Sequence, residues 1–270
     1  MAQITPPKAA ERIAMIMGKL ACSLNKVGRS YIRANLDHIF AHDNIPVRDL
    51  NNYVLKTFQN YTRVLVDFFR LGFISADELI QDVEPVGIEN CAAALKYKRG
   101  SIMITFHLGN WDYAGSYLAA INYPMSALVE ELEPAMLELY TRHRERTGMQ
   151  TYPLAKSAYA FLDIIRKNRI LAILADRDIA NNGITVTVFD GKRNIPRNLG
   201  SIIVRKKLPV LFGHLTLNPI GKKHRYRGCV DPPLFFTSED EFHAALVRKM
   251  EELIKTYPDQ WFVFQPEWIA

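Results

Sequence analysis

The spacing of hydrophobic residues changes near residue 100. Before that point apolar side chains recur every three or four residues, as at Val54, Phe58 and Tyr61, which is the period of an amphipathic helix. Beyond it, short apolar runs alternate with helical segments. The pattern therefore predicts a helical N-terminal region over 1–98 and an α/β core over 101–268.

The core pattern predicts a central, mostly parallel sheet flanked by helices. Strands are predicted at 101–106, 125–129, 170–175, 185–189, 209–215, 225–230 and 261–264. Helices are predicted at 112–121, 134–146, 155–168, 198–207 and 240–256. Asn110 is predicted to cap the first of these, Ser75-Ala-Asp-Glu78 is a capping-box pattern, and Pro134 marks a helix start. In open sheets of this kind, ligands bind at the carboxyl ends of the parallel strands.

One helical face near the N-terminus carries large apolar residues beside cations. Its apolar members are Ile13, Ile16, Met17, Leu20 and Leu24, and its neighbouring cations are Lys8, Arg12, Lys19, Lys26 and Arg29. Basic amphipathic helices of this type dock on anionic lipid, so an anionic membrane surface is an expected partner. Packing of the same face against the protein's own core is an equally weighted alternative.

Composition fits one globular domain. With 270 residues and 49% hydrophobic content, the chain can bury one core, and we expect a single domain over 1–270 with an N-terminal helical extension.

Charge and cysteine content indicate the partners and the setting of the protein. The net charge of +6 favours an anionic partner. The three cysteines form no Cys-x-x-Cys pair, which favours a reducing, cytoplasmic setting. The chain lacks the run of about eighteen apolar residues that a spanning helix needs.

A histidine and a carboxylate follow the first core strand. His107 comes directly after the apolar run 101–106, and Asp112 follows five residues later. A histidine can take a proton from a hydroxyl near neutral pH, and a carboxylate on its other ring nitrogen fixes the tautomer. We interpret His107 as a general base and Asp112 as its partner, with a structural core histidine as the alternative. The backbone N–H groups predicted to stabilise an oxyanion are those of Gly109, Asn110 and Trp111.

A second polar cluster follows another apolar run. Asp176, Arg177 and Asp178 come directly after the predicted strand 170–175. An arginine at this position can hold a phosphate group through two hydrogen bonds. The alternative is a structural ion pair that closes a loop.

A third cluster is basic and follows the predicted strand 185–189. Lys192, Arg193 and Arg197 precede a predicted helix, whose N-terminus favours an anionic group. A solvated basic loop is the competing interpretation. Taken together, the second and third clusters indicate a phosphate-bearing substrate.

The motifs carry a family resemblance. Phe106-His107-Leu-Gly-Asn-Trp-Asp112, followed by Leu174-Ala-Asp176-Arg177-Asp178 and the terminal Pro258-Asp-Gln-Trp261, resembles the bacterial lipid A acyltransferase family. Over about 55–268 the chain is similar to the phosphatidylinositol mannoside acyltransferase branch of that family.

The resemblance implies a glycerolipid-acyltransferase-like α/β fold and a peripheral place on the cytoplasmic face of the inner membrane. It implies transfer of an acyl chain from acyl-CoA or acyl carrier protein to a hydroxyl of a lipid or glycolipid, without a metal or other cofactor. His107 then matches the general base and Asp112 its partner. The residues matched to substrate-binding positions are Glu130, Arg144, Asp176, Arg177 and, in place of a family glutamate, Asp190.

Three other functions are consistent with parts of the sequence. A thioesterase would use water in place of the acceptor hydroxyl, and a homologue without catalysis would only bind lipid. A nucleic-acid-binding protein would explain the basic charge, but the sequence shows no recognition-helix motif and no basic stripe interleaved with aromatics. We therefore expect no nucleic-acid partner.

Overall fold

The structure is a computed structural model that describes residues 7–42, 49–130, 133–179 and 181–269. Its helices are α1 (Pro7–Leu24), α2 (Lys26–His42), α3 (Leu50–Leu71), α4 (Ala76–Gln81), α5 (Glu89–Leu95), α6 (Trp111–Ala120), α7 (Pro134–Arg146), α8 (Ser157–Lys167), α9 (Asn198–Lys206) and α10 (Glu239–Thr256). Its strands are β1 (Val83–Val86), β2 (Ser101–Thr105), β3 (Met125–Val129), β4 (Gln150–Pro153), β5 (Ile170–Leu174), β6 (Ile184–Val188), β7 (Gly191–Ile195), β8 (Val210–Leu217) and β9 (Tyr226–Val230). Positions 1–6 and 43–48 of the predicted helical region, and position 270 of the predicted domain, lie outside the described residues.

Seven strands form one sheet in the order β1-β9-β8-β2-β5-β3-β4. Only the β8–β9 pairing in this sheet is antiparallel. Ile102 and Ile104 of β2 belong to one hydrophobic core and Met103 to another, so each face of the sheet is covered. Helices α8, α9 and α10 contribute to the first core, and α4, α5 and α6 to the second. The predicted mostly parallel sheet flanked by helices is confirmed.

The pairing of β2 with β5 places the two main polar motifs side by side. The strands are parallel, and Thr105 lies opposite Leu174. His107 and Asp176 each come two residues later, so both leave the carboxyl edge of the sheet at the same level. This edge is where a parallel sheet offers a ligand site.

Helix α1 packs through small residues and leaves its large ones outside. Ala10, Ala14 and Gly18 are buried, and a Cβ on Gly18 would lie 2.5 Å from the Cα of Gln59 in α3. The large apolar residues of the helix are exposed, namely Ile13, Ile16, Met17, Leu20 and Leu24. The alternative that this apolar face packs on the protein's own core is therefore wrong. Within the described ranges, no helix has the length and apolar character needed to cross a membrane.

Two edge strands were not predicted. β1 lies inside the region 1–98 that was predicted to be helical, and it pairs with β9 at one edge of the sheet. Its sequence Val-Glu-Pro-Val includes Pro85, which is tolerated at an edge because edge strands need fewer ladder hydrogen bonds. β4 pairs with β3 at the opposite edge. Strands of four residues give too few alternating positions to be recognised.

The predicted strand 261–264 is wrong. Trp261 makes one isolated bridge to Leu108, and the Phe262 N–H donates to the His107 carbonyl at 2.7 Å. The apolar run arises because this segment passes through the protein interior, where Trp261, Phe262 and Val263 are buried. It supports the turn that carries His107.

The third motif forms a hairpin, although no strand was predicted between 189 and 198. Phe189 and Asp190 both have positive φ, at 47° and 57°, and they join β6 to β7 as a two-residue turn. β7 therefore contains Lys192 and Arg193 of the basic cluster. Because side chains alternate along a strand, Lys192 is exposed and Arg193 is buried.

We predict that Gly109→Ala destabilises the protein strongly. Gly109 has φ of +66°, and an added Cβ would overlap the Leu215 carbonyl oxygen and lie 2.8 Å from its carbon. Positive φ alone costs a non-glycine residue about 1–3 kcal/mol, and the overlap adds to this. In urea unfolding we expect a loss of more than about 3 kcal/mol.

Gly221→Ala is the matched control, because Gly221 has φ of +92° and nothing within 4 Å of the added Cβ. Equal losses of unfolding free energy in the two variants would contradict the predicted overlap at Gly109.

Candidate active site

His107 is held by a buried carboxylate that follows the neighbouring strand. Its Nδ1 lies 2.8 Å from Asp176 Oδ1, and its backbone N–H donates to the same carboxylate at 3.0 Å. The Trp261 indole N–H donates to Asp176 Oδ2 at 3.2 Å. Asp176 has no exposed surface. Two sequence motifs that were predicted separately thus form one constellation.

The Asp176 carboxyl is ionised at neutral pH. Burial alone would raise the pKa of Asp176, but the His107 ring, its backbone N–H and the nearby Arg193 guanidinium hold that pKa at about 2. An ionised carboxylate can only accept hydrogen bonds, so Nδ1 of His107 is the donor. On the neutral ring, Nε2 therefore carries the free lone pair.

Asp112 was predicted to be the partner of His107, and the structure gives it a different one. Arg144 Nε donates to Asp112 Oδ1 at 2.7 Å, and both side chains are largely buried. The fold explains why Asp112 does not pair with His107. Asp112 lies in the first turn of α6, close to the helix α7 that carries Arg144, whereas the register of β2 and β5 brings Asp176 to the imidazole.

A cavity of about 780 Å³ opens beside His107. This volume is within the range of about 300–1,000 Å³ that is typical of ligand sites. Much of the wall is apolar, with side chains such as Phe68, Leu128, Phe161 and Ile202. Seven of the predicted site residues line it, namely His107, Trp111, Asp112, Glu130, Arg144, Arg177 and Arg197.

Two arginines on the cavity wall come from the second and third motifs. Arg177 donates from Nη2 to Gln265 Oε1 at 3.1 Å, and its buried Nε has no acceptor in the described part of the chain. Arg197 donates to the backbone carbonyls of Asn182 and Gly183 at 3.0 and 3.2 Å. The first turn of α9 and the Asp178 carboxylate lie beside them, so this wall carries two guanidinium groups, one carboxylate and a helix N-terminus.

The predicted oxyanion donors are only partly available. The Gly109 N–H donates to the Gln260 carbonyl and the Asn110 N–H to the Leu215 carbonyl, each at 2.8 Å. Both groups are therefore used to fix the turn, and the prediction that they hold an oxyanion is wrong for this conformation. Trp111 is the first residue of α6, where an N–H has no acceptor within its own helix.

Arg193 was predicted to bind substrate, but it is a buried structural residue. It has no exposed surface, donates to Glu267 at 2.6 Å and to the Asp176 backbone carbonyl, and lies 5.3 Å from the Trp261 ring centre. Its inward direction follows from the hairpin register. Arg193 thus supports Asp176 from behind the cavity.

Asp190 was also predicted to contact substrate, and it lies elsewhere. Its side chain is 87% exposed and lies 3.3 Å from His42 Nε2 at the end of α2. The hairpin turn points it away from the cavity, so the predicted substrate contact is wrong. The structure offers no replacement for it from the same turn.

Gln260 and Trp261 are site residues to which the sequence assigned no role. The Gln260 side chain accepts from the Leu217 N–H at 2.7 Å and donates to the Leu217 carbonyl at 3.1 Å. The backbone carbonyl of Gln260 accepts from the Gly109 N–H. Trp261 contacts Asp176 directly. Their signal in the sequence was an amide directly before a buried apolar run and an indole at its first position, because buried polar groups need partners.

The asparagine that precedes α6 has the predicted capping role. Asn110 Oδ1 accepts from the Tyr113 N–H at 3.0 Å, and α6 begins at Trp111.

The site as a whole consists of an oriented imidazole, an apolar cavity and a cationic wall. Among the described residues, no three His, Cys, Asp or Glu side chains are grouped to hold a metal ion.

Comparison with known proteins assigns the chain to a family. Phosphatidylinositol mannoside acyltransferases from Mycolicibacterium smegmatis and Mycobacterium tuberculosis are each 26% identical to this chain, covering 90% of it and 80% and 78% of their own lengths. The solved 1-acyl-sn-glycerophosphate acyltransferase PlsC from Thermotoga maritima aligns over 91% of this chain and 97% of its own, with 14% identity and a TM-score of 0.42. A sequence profile described as bacterial lipid A biosynthesis acyltransferase matches residues 1–269. The chain therefore belongs to the bacterial lipid A biosynthesis acyltransferase family.

Proposed function

We propose that this protein transfers an acyl chain from an acyl thioester to a hydroxyl of a lipid or glycolipid, with His107 as the general base. The observation that carries the proposal is the hydrogen bond from His107 Nδ1 to the buried, ionised Asp176 at the wall of a large apolar cavity. Membership of an acyltransferase family supports the reaction class.

The mechanism follows from the tautomer of the imidazole. An acceptor hydroxyl donates a hydrogen bond to Nε2 of His107 and attacks the thioester carbonyl carbon, and its proton passes to Nε2. The tetrahedral intermediate then collapses, the carbon–sulfur bond breaks, and the imidazolium returns the proton to the leaving thiolate. Asp176 stabilises the imidazolium in between, because it remains a carboxylate throughout.

The developing oxyanion needs a hydrogen-bond donor close to the imidazole. Since the N–H groups of Gly109 and Asn110 are engaged, we assign this role to the N–H of Trp111 at the start of α6. The helix dipole at this end also favours negative charge. The indole of Trp111 lies 5.2 Å from the His107 ring and forms part of the same wall.

The cavity chemistry matches a substrate that combines an acyl chain with phosphate. The apolar wall suits the chain, and the walls that carry Arg177 and Arg197 suit a phosphate group of acyl-CoA, the phosphopantetheine of acyl carrier protein, or the acceptor. Glu130 and the Asp112–Arg144 pair offer hydrogen-bond partners to a polar headgroup. The names of the relatives make phosphatidylinositol mannosides the first acceptors to test.

We propose further that the protein acts at the cytoplasmic face of the membrane, with α1 lying on anionic lipid. The support is the exposed apolar face of α1, where Leu20 is 57% and Leu24 81% exposed. Arg12 and Lys19 are exposed on the same helix. This arrangement suits an interfacial amphipathic helix.

We predict that His107→Ala abolishes detectable transfer and that Asp176→Asn lowers kcat by about 10²- to 10⁴-fold. The amide of the Asp176→Asn variant can donate to the ring and favour the wrong tautomer. We expect a smaller effect on kcat from Asp112→Asn, which removes a charge from the cavity but leaves the His107 tautomer unchanged. The assay is acyl transfer from a long-chain acyl-CoA to phosphatidylinositol mannoside, with melting temperatures as the folding control.

A folded Asp176→Asn variant with the wild-type kcat would contradict the proposed base. Thiol release should depend on the acceptor lipid. Equal release without any acceptor would instead identify a thioesterase, and binding of lipid without thiol release would identify a homologue that is not catalytic.

We predict that Ile16→Glu combined with Leu20→Glu weakens binding to phosphatidylglycerol vesicles at least tenfold. Full burial of a large aliphatic side chain is worth about 1.5–3 kcal/mol, and the added charges oppose anionic lipid. Co-sedimentation with vesicles measures the loss. Leu162→Glu is the control, because Leu162 is 61% exposed on α8, outside the α1 face. Equal binding to the vesicles by the double variant and by Leu162→Glu would exclude α1 as the docking helix.

A further inference from the structure

A second buried polar network reaches the turn that carries His107. Asn110 Nδ2 donates to the Tyr226 hydroxyl at 2.8 Å, and this hydroxyl donates in turn to the Asp67 carboxylate. Asn110 and Tyr226 have no exposed surface, and Asp67 is 1% exposed. The catalytic turn is thereby connected to helix α3.

The network continues from Asp67 to the N-terminal helix. Arg225 Nε donates to Asp67 at 2.5 Å, and Arg225 Nη1 lies 3.2 Å from Glu11 in α1. Arg63 of α3 donates to the same Glu11 oxygen at 2.5 Å. A continuous series of ion pairs and hydrogen bonds therefore runs from α1, the helix with the exposed apolar face, to Asn110.

The orientation of Asn110 decides how α6 begins. Its Oδ1 caps α6 at the Tyr113 N–H, and its Nδ2 is directed to Tyr226. The amide group cannot keep both bonds if it rotates, so Tyr226 fixes the direction in which the cap is presented. Asn110 is three residues from His107 and directly precedes Trp111, so a shift in the cap moves both the base and the proposed oxyanion donor.

A network of this kind is costly as a source of stability alone. Taking charged groups out of water has a large desolvation penalty, which buried ion pairs often fail to recover. The network ends on the catalytic turn, and the value of precise geometry there is large. A misplacement of about 1 Å can cost about 10²-fold in rate.

We propose that Tyr226 and Asp67 are positioning residues for the turn that carries His107, and that Arg225 and Glu11 tie this turn to α1. The proposal rests on the proposed acyl transfer for its kinetic consequence. Its structural part concerns the placement of the His107 ring and stands without any activity. The network thus connects the helix proposed to contact lipid with the proposed catalytic base.

The test compares two tyrosine variants with matched chemistry. Tyr226→Phe removes the hydroxyl between Asn110 and Asp67. Tyr152→Phe removes another hydroxyl of the interior, which belongs to a different strand and donates to Asp163 at 2.6 Å. We expect Tyr226→Phe to lower kcat about tenfold with little change in KM for acyl-CoA, while both variants lose similar melting temperature. The NMR signals of the His107 ring, assigned with His107→Ala, should shift in Tyr226→Phe alone.

The positioning role is overturned if Tyr226→Phe matches Tyr152→Phe in kcat and leaves the His107 signals unmoved. Should Tyr226→Phe fail to fold, Glu11→Gln decides the question at the other end of the network. Shifted His107 signals at an unchanged melting temperature support the connection, and unmoved signals refute it. A wild-type protein without transfer activity would contradict the proposed function only, since the NMR comparison still tests the positioning.

Discussion

The parallel register of β2 and β5 is the constraint on which the site depends. Because Thr105 lies opposite Leu174, the residues two positions further along both strands meet at the sheet edge as His107 and Asp176. If one strand slipped by one residue, every side chain of that strand would turn to the other face of the sheet. The two buried apolar strands therefore specify the hydrogen bond that sets the imidazole tautomer, and the cavity opens beside the ring that this bond orients.

The site also depends on a carboxylate kept ionised without contact with water. Burial of Asp176 opposes its charge, so the surrounding groups must compensate. Four contacts do so, from the His107 ring and its backbone N–H, the Trp261 indole, and the buried guanidinium of Arg193, which is itself neutralised by Glu267. The segment that follows α10 supplies Trp261 and Glu267. Residues that do not line the cavity thus determine whether His107 can act as the proposed base.

Local sequence chemistry predicted the parts of the fold that are set locally. The Asn110 cap, the Ser75–Glu78 capping box and the Pro134 start of α7 all depend on neighbours within a few residues, and the structure has each of them. The partner of His107 could not be found in this way. Asp112 is near in sequence, whereas Asp176 is 69 positions away and becomes adjacent only through strand pairing. Arg193 was misassigned for a similar reason, since its direction depends on the Phe189–Asp190 turn.

Asp176 holds His107 with the proton on Nδ1 and the lone pair on Nε2. Nitrogen–proton couplings of the His107 ring, measured by NMR on the neutral imidazole, report this tautomer directly. We expect a protonated Nδ1 and an unprotonated Nε2. A proton found on Nε2 would contradict it, because an ionised Asp176 cannot donate to Nδ1 and the ring could not then accept a proton from an acceptor hydroxyl.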